Sequence, residues 1–250
     1  MIVRDPSTLS ANVRTRVDVV EGSHGDMDVV NRAFADVDTV FWLTPPDPKA
    51  KSVEAAYVDF TRPACDAIES QGVKRVVDIT PLGRGQAIAD NAGFVTASLA
   101  MDDLIAGTGV AFRPLTMPSF MDNLLMQLAP IKTKGVFFSP INGDLKLPAC
   151  ATRDIAAIAA KLLIDPRWTG QQHVAVLGPE DVSFNDMART MSDVLERPIR
   201  FEQISFEAYK SQFTAHGMSD AMAQGMTDMA RAKNEGLDNA EPPPREHDAH

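Results

Sequence analysis

Side chains able to do chemistry are sparse in this chain, and those that matter stand where apolar runs stop. Thr44 closes the run at 38–44 and is followed by Pro45 and Pro46; Thr80 closes the run at 74–80 and is followed by Pro81. At the carboxyl end of a strand a hydroxyl can hydrogen-bond a ribose or orient a carbonyl, and adjacent prolines can wall a flat ring. Past a third apolar run, 110–115, the stretch 116–125 carries Pro118, Ser119, Phe120 and Asn123. A phenyl ring there can stack on a planar ligand and the amide can bond a loop or a ligand. Arg4 follows the opening apolar run, and its planar fork suits a phosphate. His24, His173 and His216 lack companions at metal-ligand spacing, and Cys65 and Cys150 match no metal pattern, so no metal site is expected. No catalytic residue can be assigned.

Positioning these groups requires strands that alternate with helices. Residues 1–6 read as the end of a strand stopped by Asp5-Pro6, and 17–20 as a short strand. A helix over 26–35 has Val29, Val30, Ala33 and Phe34 on one side. Strands are expected at 38–44 and 74–80, with a helix between them from about 52 to 70, closed by Gln71-Gly72. A helix over 97–105 stops at Gly107-Thr108-Gly109. The strand 110–115 then empties into a second helix, with Pro118 in its first turn and Ser119 as its cap. This alternation is that of right-handed βαβ units, an α/β class with helices on both faces of a parallel sheet.

Beyond residue 130 the elements shorten. Strands are expected at 135–139, 173–177 and 199–204, and a turn at Asn142-Gly143. Helices follow Thr152 or Asp154, Ser183 and Ser205, each placed as a cap. Met218, Met222, Met226 and Met229 share one helix face, in the core or in a lid. Residues 239–250 read as a disordered tail. The division is therefore 1–130 as the main domain, 131–238 as a small α+β lobe interleaved with it, and 239–250 as tail.

At 250 residues with 44% hydrophobic composition the chain can bury a sizeable core. A net charge of −10 argues against direct nucleic-acid binding. No apolar run approaches the ~20 residues of a membrane span, and two isolated cysteines suit a reducing cytoplasm.

Several segments in order resemble a known family: Arg4-Asp5-Pro6 after a strand, 41–46 (FWLTPP), and 72–77 (GVKRVV) with Thr80. Gly109-Val110 with 119–125 (SFMDNLL), 152–156 (TRDIA) and 177–180 (LGPE) continue the series. Together they resemble the NmrA-like group of atypical short-chain dehydrogenases/reductases over roughly residues 1–237. The resemblance implies a Rossmann-type NAD(P)-binding half and a small C-terminal substrate lobe. It also implies either an NAD(P)H-dependent oxidoreductase acting on quinone-like compounds or a redox-sensing regulator with a protein partner. It places Arg4 at the adenosine ribose, favouring NADP over NAD, with Thr44, Pro45, Pro46, Thr80 and Pro81 along the cofactor. Pro118, Phe120 and Asn123 would face the substrate.

Two departures qualify the resemblance. The family opens with a strand and a glycine-rich turn for the pyrophosphate, and no such turn occurs in these 250 residues. The expectation is an N-terminally shortened member lacking roughly 30 residues, a βα unit whose strand belongs mid-sheet. The alternative is a degenerate member that binds no dinucleotide. Ordinary members of the wider class also use Tyr-x-x-x-Lys to pass a proton. Here Tyr57 and Tyr209 are followed four residues later by Thr61 and Phe213, and Asp103 takes the place where quinone-reductase-like members often carry a lysine.

Overall fold

The computed structural model describes residues 1–240. The chain runs β1 (Ile2–Val3), α1 (Ala11–Arg14), β2 (Val20–Glu21), α2 (Met27–Phe34) and β3 (Thr39–Trp42). A wide helical turn at Ala55–Asp59 leads into α3 (Phe60–Gln71), followed by β4 (Arg75–Pro81), α4 (Phe94–Gly107) and β5 (Ala111–Met117). Then come β6 (Ser119–Phe120), a 3-10 turn Met121–Gln127, α5 (Leu128–Lys134), β7 (Val136–Ser139), β8 (Ala149–Cys150), α6 (Thr152–Ile164) and β9 (Val174–Ala175). The chain closes with α7 (Phe184–Leu195), β10 (Arg200–Gln203), α8 (Phe206–Ala215), α9 (Asp220–Asn234) and a 3-10 turn Leu237–Ala240.

The central sheet is parallel, in the order β3-β4-β5-β9. Val76 and Val77 are both fully buried because successive residues of β4 feed opposite faces. Val76 joins Trp42, Met101 and Phe112 under α2, α3 and α4; Val77 joins Leu115, Ile155 and Ala159 under α6. Helices therefore cover both faces, as the alternation of the sequence predicts. β1 and β2 form a separate parallel ribbon and, among the described residues, make no ladder with β3. The C-terminal segment builds a further small core: β7 pairs with β10, and Phe137 packs with Ile131, Ala188 and Ile199.

Local signals held where one short-range interaction decides. Asp26, Ser183 and Ser205 each accept backbone N–H groups at a helix start, and Ser183 forms a reciprocal box with Asp186. Gly72 ends α3 in the left-handed conformation, φ +68°.

Three expectations are corrected. The helix predicted over 116–125 starts later than expected, with 3-10 turns from Met121: Thr116 and Met117 prolong β5 against Thr80 and Pro81, and Ser119-Phe120 pair with Ala149-Cys150. Pro118 is thus a break between two strands, and Ser119 caps nothing. A partner 30 residues away outweighs the local helix signal. At α6 neither Thr152 nor Asp154 caps; the Thr152 N–H donates to the Asp122 carboxylate at 2.9 Å. Of the expected tail, 241–250 lie outside the described residues, while Asn239 belongs to the last 3-10 turn and its amide donates to the Lys146 carbonyl at 3.1 Å.

Candidate active site

Three parallel strands end on the same side, and a cavity of about 410 Å³ opens there. Thr44 comes from the end of β3, Thr80 and Pro81 from β4, and Pro118 and Phe120 from the chain leaving β5. Ser98 and Met101 on α4, and Met226, Met229 and Lys233 on α9, complete its lining. Close backbone contact holds α9 there. A Cβ on Gly93, itself at φ +56°, would come within 2.2 Å of the Gly225 carbonyl, and one on Gly225 would meet Val53 and Phe94. The methionine face is split by this docking: Met222 is buried with Ala50 and Ala56, while Met226 and Met229 face the cavity.

Most of the cavity wall is apolar, with a few placed polar groups. The Thr44 hydroxyl donates to Met101 Sδ at 3.1 Å. The Asn123 amide, exposed at the rim, has no hydrogen-bond partner among the described residues, so it does not tie down its own loop. Thr80, 1% exposed, donates to Asp102 Oδ2 at 2.6 Å. Arg84 reaches the same Asp102 oxygen at 3.3 Å and Asp103 Oδ1 at 2.7 Å.

Charge is concentrated behind Thr80. Asp78, in the middle of β4, and Asp102 are both 1% exposed. Burial, together with the neighbouring Asp102 charge, holds the Asp78 carboxyl well above the usual range. Burial pushes Asp102 up to about 6, opposed by hydrogen bonds and charge from Thr80 and Arg84. A third buried carboxylate, Asp238 in the last 3-10 turn, pairs with Lys233 of α9. Tyr57 lines the cavity edge-on to Phe94, and burial raises its phenol. Cys65 and Cys150 are buried thiols pushed up to about 12 and about 11, outside the range of reactive thiolates.

The structure brings Thr44, Thr80, Pro81, Pro118, Phe120 and Asn123 to one cavity. Arg4 is exposed after β1, and Pro45 and Pro46 follow β3; none of these three lines the cavity. Asp103 points to solvent, 68% exposed, whereas its neighbour Asp102 points inward, since adjacent helical residues differ by about 100° in direction. Asp78, Asp102, Tyr57 and Lys233 were not picked out by the sequence. For Asp78 the signal was present: a carboxylate inside the continuous apolar run Val76-Val77-Asp78-Ile79.

Among the described residues no helix is long and apolar enough to cross a membrane. Residues 1–166 match the family described as NAD(P)H-binding, and residues 109–242 match the NmrA-like family. The chain is 29% identical over 229 residues to an NAD(P)H azoreductase of Xenophilus azovorans, covering 91% of this chain and 76% of that protein. The fold is shared with a Citrobacter triphenylmethane reductase solved with NADP(H), at TM-score 0.78 and 18% identity, covering 96% of this chain and 82% of that one. It is also shared with an NADPH-dependent quinone oxidoreductase of Escherichia coli solved with NADPH, at TM-score 0.75 and 19% identity, covering 94% and 80%. Each family match spans more than half of the sequence, and the chain belongs to the NmrA-like family of NAD(P)H-binding proteins.

Proposed function

We propose that this protein is an NAD(P)H-dependent reductase of flat, conjugated, quinone-like compounds. The observation that carries this reading is the cavity at the carboxyl ends of β3, β4 and β5. It is apolar on most sides, and among its few hydroxyls Thr80 is held in place by Asp102. Ile79, Met101 and Phe120 offer surfaces against which planar rings can lie. The similar proteins are named as azo, triphenylmethane and quinone reductases.

The residues present fit the reactive end of a dinucleotide, because Thr44, Ser98 and Thr80 supply hydrogen-bonding groups around an otherwise apolar pocket. A glycine-rich turn for the pyrophosphate is not among the 250 residues, so the fit concerns the nicotinamide half. When bound, the reduced nicotinamide supplies hydride. The chain's own contribution is to bind the acceptor between Phe120 and the α9 methionines, exclude water with that apolar wall, and orient the acceptor's oxygen toward Thr80. The segment 131–238 acts as the substrate lobe, through Met226, Met229 and Lys233. Arg4 reads a 2′-phosphate, and Pro45 and Pro46 lie along the adenosine path. Two unpaired buried cysteines fit a cytoplasmic setting.

The test is NADPH oxidation by the purified protein with a panel of quinones, beside a direct NADPH titration. Turnover is expected. Micromolar binding without turnover would instead support a redox-sensing regulator with a protein partner, and absence of both would support a degenerate member.

A further inference from the structure

The cluster behind Thr80 leaves two carboxyl oxygens without donors. Asp78 Oδ2 and Asp102 Oδ1 are buried and receive no hydrogen bond from backbone, hydroxyl or guanidinium. The two carboxyl groups interact through charge and, when one is protonated, through a side-chain hydrogen bond. Two buried carboxylates in contact repel strongly, so such a pair retains at least one proton. The environment decides which member keeps it. Among the described residues no cation pairs with Asp78, and only the Ile79 N–H serves its other oxygen. Asp102 has the Thr80 hydroxyl and Arg84 on its Oδ2, so it is the member that ionises first.

Among the described residues the charged and titratable groups facing this pair are few. They are Arg84 from the loop after β4, Asp103 beside it on α4, and Tyr57 from the segment before α3. Lys233 lines the cavity and is held by Asp238.

We propose that Thr80 delivers the proton of the reduction, with Asp102 as the positioning residue that reloads it and Asp78, the member that keeps its proton longer, as a donor to Asp102. This rests on the reductase reading. When Asp102 is ionised, the Thr80 hydrogen is pinned to the carboxylate and Oγ1 offers the cavity only lone pairs. When Asp102 is protonated, its O–H donates to Thr80, and the Thr80 hydrogen turns toward the acceptor. As the acceptor takes hydride from the reduced nicotinamide, its oxygen gains a negative charge. The Thr80 O–H bond breaks as a new O–H bond forms on the product, and Asp102 returns a proton to Thr80. Asp102 remains as a carboxylate facing Arg84 and neutral Asp78, and a solvent proton restores it. Arg84, 34% exposed, marks the side open to water. The path supplies the acid that the absent Tyr-x-x-x-Lys would otherwise provide, and an acid titrating near neutral is suited to the task.

The experiment has two arms. Infrared titration of the ligand-free protein should show a carboxyl C=O band disappearing with a midpoint of about pH 6. That band should be lost in Asp102→Asn and its midpoint raised in Arg84→Met. In turnover with NADPH and a quinone, kcat should fall as pH rises through that midpoint. Thr80→Val should lower kcat by about 10²-fold, the low end for general acid catalysis, and flatten the profile. Thr80→Ser should restore both, with KM changing little. The relay is overturned if no band titrates near this midpoint. It is also overturned if Thr80→Val keeps the wild-type kcat and profile, or if Tyr57→Phe removes the break instead. Absence of all turnover in the wild type overturns the reductase reading and the relay with it, whereas turnover with a flat profile overturns the relay alone.

Discussion

Two buried carboxylate sites flank the same cavity and are compensated in opposite ways. At the end of α9, Lys233, itself 6% exposed, meets Asp238 of the following 3-10 turn, which is fully buried. Behind β4, Asp102 meets a second carboxyl and only one edge of Arg84. The first site balances charge with charge and stays fixed; the second balances burial by holding protons and can release them. The wall that must hold a substrate is thus built on an ion pair, and the wall that must do chemistry on a titrating group. Arg84 shows the difference in scale: its bond to exposed Asp103 is shorter than its bond to Asp102, yet only the latter lies where water cannot screen it.

Breaking the ion pair should have the largest effect. Lys233→Met leaves Asp238 buried and unpaired, which costs on the order of 3–5 kcal/mol, read as a large drop in thermal midpoint at neutral pH. Next comes Asp102→Asn. The folded Asp102 titrates near 6, above its ordinary 3.8, so the native state holds the proton more tightly than the unfolded chain does. Stability from this group is full below about pH 4, declines as pH rises to about 6, and is flat above. Asp102→Asn should remove that slope, and at about pH 8 it should gain up to roughly 3 kcal/mol over wild type. A denaturant series at three pH values checks the sign, and a gain at low pH rather than high would contradict it.

Smaller effects sharpen the cavity wall. Met226→Ala should raise KM for a flat acceptor by roughly tenfold, equivalent to about 1.4 kcal/mol of lost apolar contact, and leave kcat near its original value. Arg4→Ala should weaken NADPH binding by a few-fold and leave NADH binding unchanged, as expected for an exposed charge contact.

What was legible in the sequence follows the range of the interaction. Asp26, Ser183 and Ser205 each bond backbone within three residues, and all three helices begin where those residues stand. The alternation of strands and helices, and the strand ends bearing Thr44 and Thr80, depend on local periodicity and were equally readable. The start of the stretch 116–125 was misread because its conformation is set by β4 on one side and by β8 on the other, far along the chain. Asp122 capping α6 from 30 residues away is the same case. The sequence singles out Asp103, whereas its buried neighbour Asp102 faces inward; adjacent helical residues differ by about 100°, so a one-residue offset changes the face. A carboxylate inside the apolar run of β4 was visible, but its meaning needed the facing Asp102 to be located.

The central claim is that Thr80, loaded by Asp102, serves the reducing site. The most direct measurement is the pH dependence of kcat for NADPH-driven quinone reduction, wild type beside Thr80→Val. The account predicts a wild-type rate that falls as pH rises through about 6, with a slow and pH-independent variant. A wild-type rate that is constant across that range, with a variant of equal rate, would contradict it.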